Sequence, residues 1–225
     1  MHVALLERED KPMMKKIKWG NLYLWLMFVV LYLPIIFLIT YSFNAGKVMQ
    51  GWSGFSLKHY GELFADTRIL EIVVNTFLVA LLSSLLSSVI GTAGALYIYN
   101  IKHALTKNVF LSLNNILLVS PDVIIGAAFL ILFTVMGFSL GFTSVLLSHI
   151  AFSIPIVVLM VLPRLQEMNR SLVASAKDLG ANNWQMLTRV ILPVISPGIF
   201  AGFFMAFTYS LDDFAVTFFV TGNGF

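Results

Sequence analysis

No cysteine occurs among the 225 residues, which excludes disulfides and thiolate-bound metals. Charge is scarce as well: Asp, Glu, Lys and Arg together make up 11% of the chain. A soluble domain needs far more polar surface to cover itself. No GxxxxGK[ST] stretch is present, so nothing in the chain cradles a nucleoside triphosphate in a phosphate loop. A GxGD motif is also missing, which argues against an intramembrane aspartyl protease built on a shared-proton carboxylate pair. The chain reads as a membrane protein that is not itself an enzyme.

What is abundant is apolar sequence, at 59% of residues with a mean hydropathy of +0.90. The apolar runs are continuous rather than alternating, so they predict helices and not barrel strands. At 1.5 Å per residue a run of about 20 crosses a hydrocarbon core of roughly 30 Å. We read an N-terminal arm over residues 1–21 and a transmembrane domain over 22–225. Its expected spans are 22–42, 72–99, 109–136, 142–162 and 198–220. The first run is too long for the apolar core of a signal peptide, and no small-x-small cleavage site follows it. Met13 or Met14 could equally serve as the start. Residues 43–71 form a mixed loop with one short helix expected near Leu57–Phe64.

The formal net charge of +3 is a matter of topology and implies no nucleic-acid partner. Of the fourteen Lys and Arg residues, eleven fall on one side of the expected spans. Five lie in the arm (Arg8, Lys11, Lys15, Lys16, Lys18), two in the 100–108 link (Lys102, Lys107) and four in the 163–197 loop (Arg164, Arg170, Lys177, Arg189). Only Lys47, Lys58 and Arg68 fall opposite. The positive-inside rule therefore puts the N-terminus and the long loop in the cytoplasm.

Three carboxylates, Asp122, Asp212 and Asp213, sit in or beside apolar runs, where a charge costs at least ~2.5 kcal/mol unless it is paired or wet. Ser120-Pro121-Asp122 suits the N-cap, N1 and N2 positions of a new helix, so the third span should break there. On a continuous fifth helix Tyr209, Asp213 and Thr217 would share a face, with Thr208 and Asp212 adjoining. These groups either bond to structural neighbours or line a cation pathway. His149 reads as a hydrogen-bonded packing residue, and Trp52 and Tyr60 as interface anchors or contacts for an external protein. Small residues recur every fourth position at Ser83, Ser87, Gly91 and Ala95, and again at Gly198, Gly202 and Ala206. Such stripes let helix backbones approach, within one subunit or at a seam with another.

The one long polar interval in the C-terminal half runs from Leu165 to Pro197, and reads as two short amphipathic helices broken at Gly180. Its Ala174-Ser175-Ala176-Lys177-Asp178-Leu179-Gly180-Ala181, with Leu192-Pro193 beyond, resembles the EAA loop of ABC-importer permeases. Further matches occur at Ser42-Phe43-Asn44, Gly54-Phe55-Ser56-Leu57, Tyr60, Asn75-Thr76, Ser120-Pro121-Asp122, Ser148-His149, Asp212-Asp213 and Phe219-Val220-Thr221-Gly222. In order and spacing these resemble the spermidine/putrescine permeases, in particular the one that pairs with a non-identical sister permease. Iron, phosphonate and other small-solute permeases share much of the pattern. The glutamate that heads the family motif falls on Ala174, and Ser175 replaces an alanine.

The resemblance implies an all-α polytopic membrane bundle of the type I ABC-importer permease (MetI-like) fold. Five spans are expected in this sequence, and the resemblance implies a sixth beyond Thr221-Gly222, past its last residue. It also implies a bacterial plasma (inner) membrane location and a heterodimer with a sister permease. Two copies of an ATPase subunit would bind ATP and Mg, and an extracellular or periplasmic binding protein would deliver the polyamine; this chain would carry no cofactor. The solute pathway would use Asp122, Asp212, Asp213 and Tyr209. The residues from Ala174 to Ala181 would couple to the ATPase, with Ala176, Leu179, Gly180 and Ala181 entering its groove and Trp184 and Leu187 packing the second helix. A gradient-driven transporter or channel using the same acids is the alternative from another class, and an inert hairpin lying on lipid is the alternative for the loop.

Overall fold

A computed structural model describes residues 19–48 and 51–222. The helices run in the order α1 (Trp19–Ser42), α2 (Lys58–Ala65), α3 (Thr67–Asn100), α4 (Ala104–Val119), α5 (Asp122–Val135), α6 (Phe142–Glu167), α7 (Arg170–Asp178), α8 (Asn183–Met186), α9 (Leu192–Asp212) and α10 (Ala215–Val220). A π-turn, Leu187–Ile191, joins α8 to α9 without a break. The basic arm up to Lys18 lies outside the described residues. Among the described residues, four helical runs are long and apolar enough to cross a membrane: α1, α3, α6 and the stretch Asn183–Asp212. The pair α4 and α5 makes a fifth if counted together. The chain divides into two units, Met1–Thr67 and Arg68–Phe225.

In the first unit α1 is apolar around its whole circumference, as a helix facing lipid must be. The loop after it is tied down by its own polar side chains. Asn44 donates from Nδ2 to the Gly51 carbonyl (3.0 Å) and accepts at Oδ1 from the Ser53 amide (2.7 Å). A single antiparallel bridge pairs Asn44 with Phe55. Ser42 and Tyr60 share a hydroxyl–hydroxyl hydrogen bond of 2.7 Å, and Phe43 is ringed by Phe55 and Tyr60 at 5.4 Å each. Tyr60 is therefore a packing residue of this loop, while Trp52 stands half-exposed with its edge on Tyr41. The expected short helix is α2.

The second unit is centred on α6, half of whose residues are buried. Lipid tails are as apolar as leucine, so helices in a membrane associate through close packing and polar contacts rather than by escaping water. Both small-residue stripes turn to α6. A methyl group added at Gly91 of α3 would lie 2.7 Å from Val157 Cβ, and one at Gly202 of α9 would lie 3.2 Å from Val157 Cα. Gly198 meets the Met160 carbonyl and the Arg164 stem at under 3 Å in the same sense. The stripes thus serve packing within this chain. One buried cluster gathers Ala95, Ile98, Val158, Val161, Leu165 and Ile195 around that contact. A second gathers Val79, Ile125, Phe133, Val145, Phe152 and Val216.

Several expected boundaries shift. The fourth span extends five residues further, to Glu167. The third span breaks at Ser120–Pro121 as its sequence demands, and α4 and α5 meet at 106°. The register differs by one residue, with Ser120 ending α4, Pro121 as the N-cap and Asp122 as the first residue of α5. The cause is local: the Ser120 hydroxyl bonds back to the Ile116 carbonyl (2.6 Å) and so does not cap the next helix. The fifth span is not one helix over 198–220. Helix runs unbroken from Asn183 and stops at Asp212, and α10 is a separate turn and a half. The Tyr209–Asp213–Thr217 face is therefore interrupted at Asp213, whose backbone is extended (φ −68°, ψ 118°).

Neither Pro193 nor Pro197 ends the helix. The Leu192 amide reaches back five residues to the Leu187 carbonyl, and this wide turn comes just before Pro193, whose ring cannot fit a normal α-turn.

Helix α10 lies on α5 closely enough that a Cβ on Gly126 would come within 2.7 Å of Phe219 Cδ2 and 3.0 Å of Val216 Cα. Overpacking against a backbone costs about 1–3 kcal/mol. Gly126→Val is expected to lower the thermal midpoint of the protein in detergent. Gly94→Val, whose nearest neighbour would be Val158 Cγ2 at 3.7 Å, is expected to leave it unchanged. Equal melting of Gly126→Val and the parent would show that α5 and α10 do not pack this way.

Candidate functional site

The four residues singled out as acid or aromatic groups of a pathway fall into three different settings. Asp122 is the first residue of α5, where the free amides and the helix dipole favour a carboxylate. The Tyr209 hydroxyl, projecting from α9, donates to Asp122 Oδ1 at 2.7 Å. This bond joins residues 87 apart in sequence, and Tyr209 also stands edge-on to Phe152 of α6 (5.2 Å). Beside the pair lies an apolar pocket of about 220 Å³ lined by Leu117, Phe152, Ile156, Met205 and Tyr209. The carboxylate and the phenol are both open at the surface of the unit.

Asp212 occupies the last position of α9 and is exposed. A carboxylate there adds to the negative pole of the helix, which makes the spot attractive to a cation and unfavourable when bare.

Asp213 is different. Its side chain is 4% exposed and its oxygens are already taken. Oδ1 accepts from the Val216 amide (3.1 Å), and Oδ2 accepts from the Thr217 amide (2.9 Å) and the Thr217 hydroxyl (3.0 Å). It therefore caps α10 through its side chain, in the way that lets aspartate interrupt a helix. His149 of α6, 2% exposed, closes the group. Its Nε2 lies 2.9 Å from Thr217 Oγ1 and 3.4 Å from Asp213 Oδ2, and its Nδ1 lies 2.6 Å from Ser210 Oγ. Ser83 of α3 bonds to Ser210 at 3.2 Å. A cavity of about 50 Å³ adjoins this cluster, with Thr76 and Val145 in its wall. The hydrogen-bonded character of His149 is legible from a lone imidazole in an apolar run. Its partners are not, because they lie 61 and 68 residues away.

The polar hairpin after α6 is rigidly capped. Asn169 Oδ1 accepts from the Ser171 amide (2.9 Å) at the start of α7. At its end the Ala181 amide reaches the Ala176 carbonyl (3.0 Å) and the Gly180 amide the Lys177 carbonyl (2.9 Å). This pair is a Schellman closure with Gly180 at C′, and φ +80° there explains the glycine. Asn182 and Gln185 then exchange amide bonds (2.8 and 3.0 Å) in a capping box that starts α8. Ala174, Ser175, Lys177, Asp178 and Gly180 are exposed, Leu179 is 89% exposed, and Ala176, Ala181 and Leu187 are partly covered. Trp184 does not pack the second helix as expected. It is 70% exposed, and Met186 is the buried residue. The hairpin thus offers Leu172, Leu179 and Trp184 as bare apolar groups on a well-braced turn.

A broken, all-helical membrane bundle with a capped polar hairpin between its last long helices defines a class. The chain belongs to the family of binding-protein-dependent transport system inner membrane components, whose profile matches residues 87–225. It is accordingly a permease component of an ABC importer. Among its relatives, the spermidine/putrescine transport system permease protein PotC of Haemophilus influenzae is 36% identical over 206 residues, covering 90% of this chain and 78% of that protein. PotC of Escherichia coli K12 is 36% identical over 201 residues, covering 88% and 75%. The putrescine transport system permease protein PotI of Escherichia coli K12 is 33% identical over 212 residues, covering 92% and 75%.

A side chain at Gly180 would meet no atom within 4 Å but would have to adopt φ +80°, at a cost of about 1–2 kcal/mol. Gly180→Asp is therefore expected to leave membrane insertion intact while abolishing ATP-dependent uptake, because it reshapes and charges the turn. Vesicles of the assembled transporter carrying the variant would show this, and retained uptake would refute it.

Proposed function

We propose that this permease carries a polyamine, of the spermidine or putrescine class, across a bacterial plasma (inner) membrane in which the N-terminus and the hairpin face the cytoplasm. The observation that carries the solute assignment is the 36% identity to spermidine/putrescine permeases over about nine-tenths of the chain. The site chemistry supports it. A polyamine presents separated ammonium groups on an apolar stem. Asp122, with Tyr209 beside an apolar pocket, and Asp212 at the negative end of α9 are spaced, open acceptors of that kind. Asp213, whose oxygens are filled by three donors from Val216 and Thr217, supports the pathway from behind rather than lining it.

Sidedness follows from the placement of eleven of the fourteen basic residues, four of them in the hairpin loop. The hairpin, from Ala174 to Ala181 with Trp184 and Leu187, docks in a groove of a separate ATPase, which holds the ATP and Mg. Leu179 and Trp184 are the apolar anchors of that contact. The complete particle pairs this chain with a sister permease and two ATPase copies, and receives its solute from a binding protein on the other side.

Proteoliposomes holding the whole complex test this reading. ATP-dependent uptake of labelled putrescine should be competed by unlabelled spermidine and not by ferric iron or a phosphonate. Competition by one of those instead would overturn the solute assignment while leaving the permease assignment standing. Asp122→Asn and Tyr209→Phe should each slow putrescine uptake roughly tenfold, the worth of one hydrogen bond to a charged group. Unchanged rates in both would remove that pair from the pathway.

A further inference from the structure

The proposed pathway groups do not hold themselves in place. Asp212 is the last residue of α9, and Asp122 begins α5, which is packed through Gly126 onto α10. The orientation of Asp122 therefore depends on how α10 is set after the break at Asp213, and Asp212 stands immediately before that break. Helix α10 is fixed to α6 at its two ends. At the far end the Ser144 hydroxyl donates to the Val220 carbonyl (2.7 Å), and at the near end His149 meets Thr217 (2.9 Å).

The donors at the near end run one way. The Thr217 hydroxyl gives its single proton to Asp213 Oδ2, so Thr217 Oγ1 can only accept from His149, and Nε2 must carry the hydrogen. On the other side of the ring Nδ1 lies 2.6 Å from the Ser210 hydroxyl oxygen, which in turn lies 3.2 Å from Ser83 Oγ. Hydrogen bonds aligned head to tail polarise one another, and the link from His149 through Thr217 ends on the Asp213 carboxylate, whose Oδ2 also lies 3.4 Å from His149 Nε2.

We propose that His149 is a positioning residue for transport. Anchored by Ser210 on one side, it donates to Thr217, which donates to Asp213; this link stabilises the charge on Asp213 and so fixes the break beside which Asp212 and Asp122 are presented. This rests on the reading of those two acids as pathway groups. Asp213 would be kept as aspartate because the break is held by a buried charge, and the charge needs His149. A smaller, neutral cap would not.

That last point gives the test. Serine also caps helices, so Asp213→Ser keeps α10 started without leaving an anion to stabilise. The whole complex, with saturating binding protein, is reconstituted with His149→Leu, with Thr217→Val, and with each of these in the Asp213→Ser background. Solute uptake and ATP hydrolysis are measured per assembled particle. His149→Leu is expected to cut uptake roughly tenfold, the consequence of one charge-supporting hydrogen bond lost in a buried site. ATP hydrolysis should fall much less, so that solute moved per ATP declines. Thr217→Val, which removes only the final link and keeps the side-chain shape, should shift the same ratio in the same direction if the leucine variant does not assemble. In the Asp213→Ser background both losses should shrink to about threefold or less.

An unchanged ratio of uptake to hydrolysis in Thr217→Val, or in an assembled His149→Leu particle, would overturn the proposal. So would a His149→Leu penalty as large in the serine background as in the parent, because Asp213 would then not be the recipient. If the parent complex moves a solute other than a polyamine, the same comparison is made with that solute. The polyamine reading then fails while the role of His149 is still decided.

Discussion

Val157 of α6 lies between two glycines, Gly91 of α3 on one side and Gly202 of α9 on the other, and the arrangement of the second unit depends on that contact. Inside a bilayer no gain comes from moving leucine out of lipid and into protein, so the depth of the contact matters more than its hydrophobicity. A helix can be gripped on two faces only if its neighbours have no side chains at the crossing points. The many exposed leucines and phenylalanines of α3 and α9 are the lipid-facing remainder of the same helices. The polar bonds across the bundle, Ser83 to Ser210 and Ser210 to His149, follow from that closeness, since serine is too short to reach across a normal helix spacing.

With three helices held this tightly, irregular backbone can exist beside them. The 106° turn between α4 and α5, and the extended residue between α9 and α10, both expose backbone groups that would be intolerable in hydrocarbon. Each break is compensated from close at hand. Pro121 has no amide to leave unsatisfied, and the Asp213 carboxylate takes the amides of Val216 and Thr217. The acids that looked expensive in the sequence are partly the means by which the broken helices are kept, and partly, at Asp122 and Asp212, what the breaks leave facing outward.

Much of this was legible in the residues themselves, for identifiable reasons. Uninterrupted apolar runs can only be helices in a membrane, Ser-Pro-Asp cannot continue one, and Gly180 sits where a helix must turn left-handed. The break at Asp213 was not legible. Residues 198–220 contain neither proline nor a late glycine, and what stops α9 is a side chain capping forward with support from His149, 64 positions earlier. Proline misled in the opposite sense: the fifth span is expected from the sequence only after Pro197, but the helix runs through both Pro193 and Pro197, with a π-turn before the first that no residue type announces. Within the hairpin the caps were readable, but two apolar residues two positions apart did not reveal that Met186 rather than Trp184 would be buried, because that depends on how the helix is set against the rest of the bundle.

Because helix persists from Asn183 through the π-turn to Asp212, the second arm of the hairpin and the acid-bearing end of α9 belong to one rod of 30 residues. At 1.5 Å per residue it is roughly 45 Å long. A tilt of about 5° at one end sweeps the other by roughly 4 Å, about the width of a methylene chain. The wide turn of five residues, Leu187–Ile191, is the one irregular joint along it, so a displacement of Trp184 is divided between bending that turn and swinging the carboxylate at the far end.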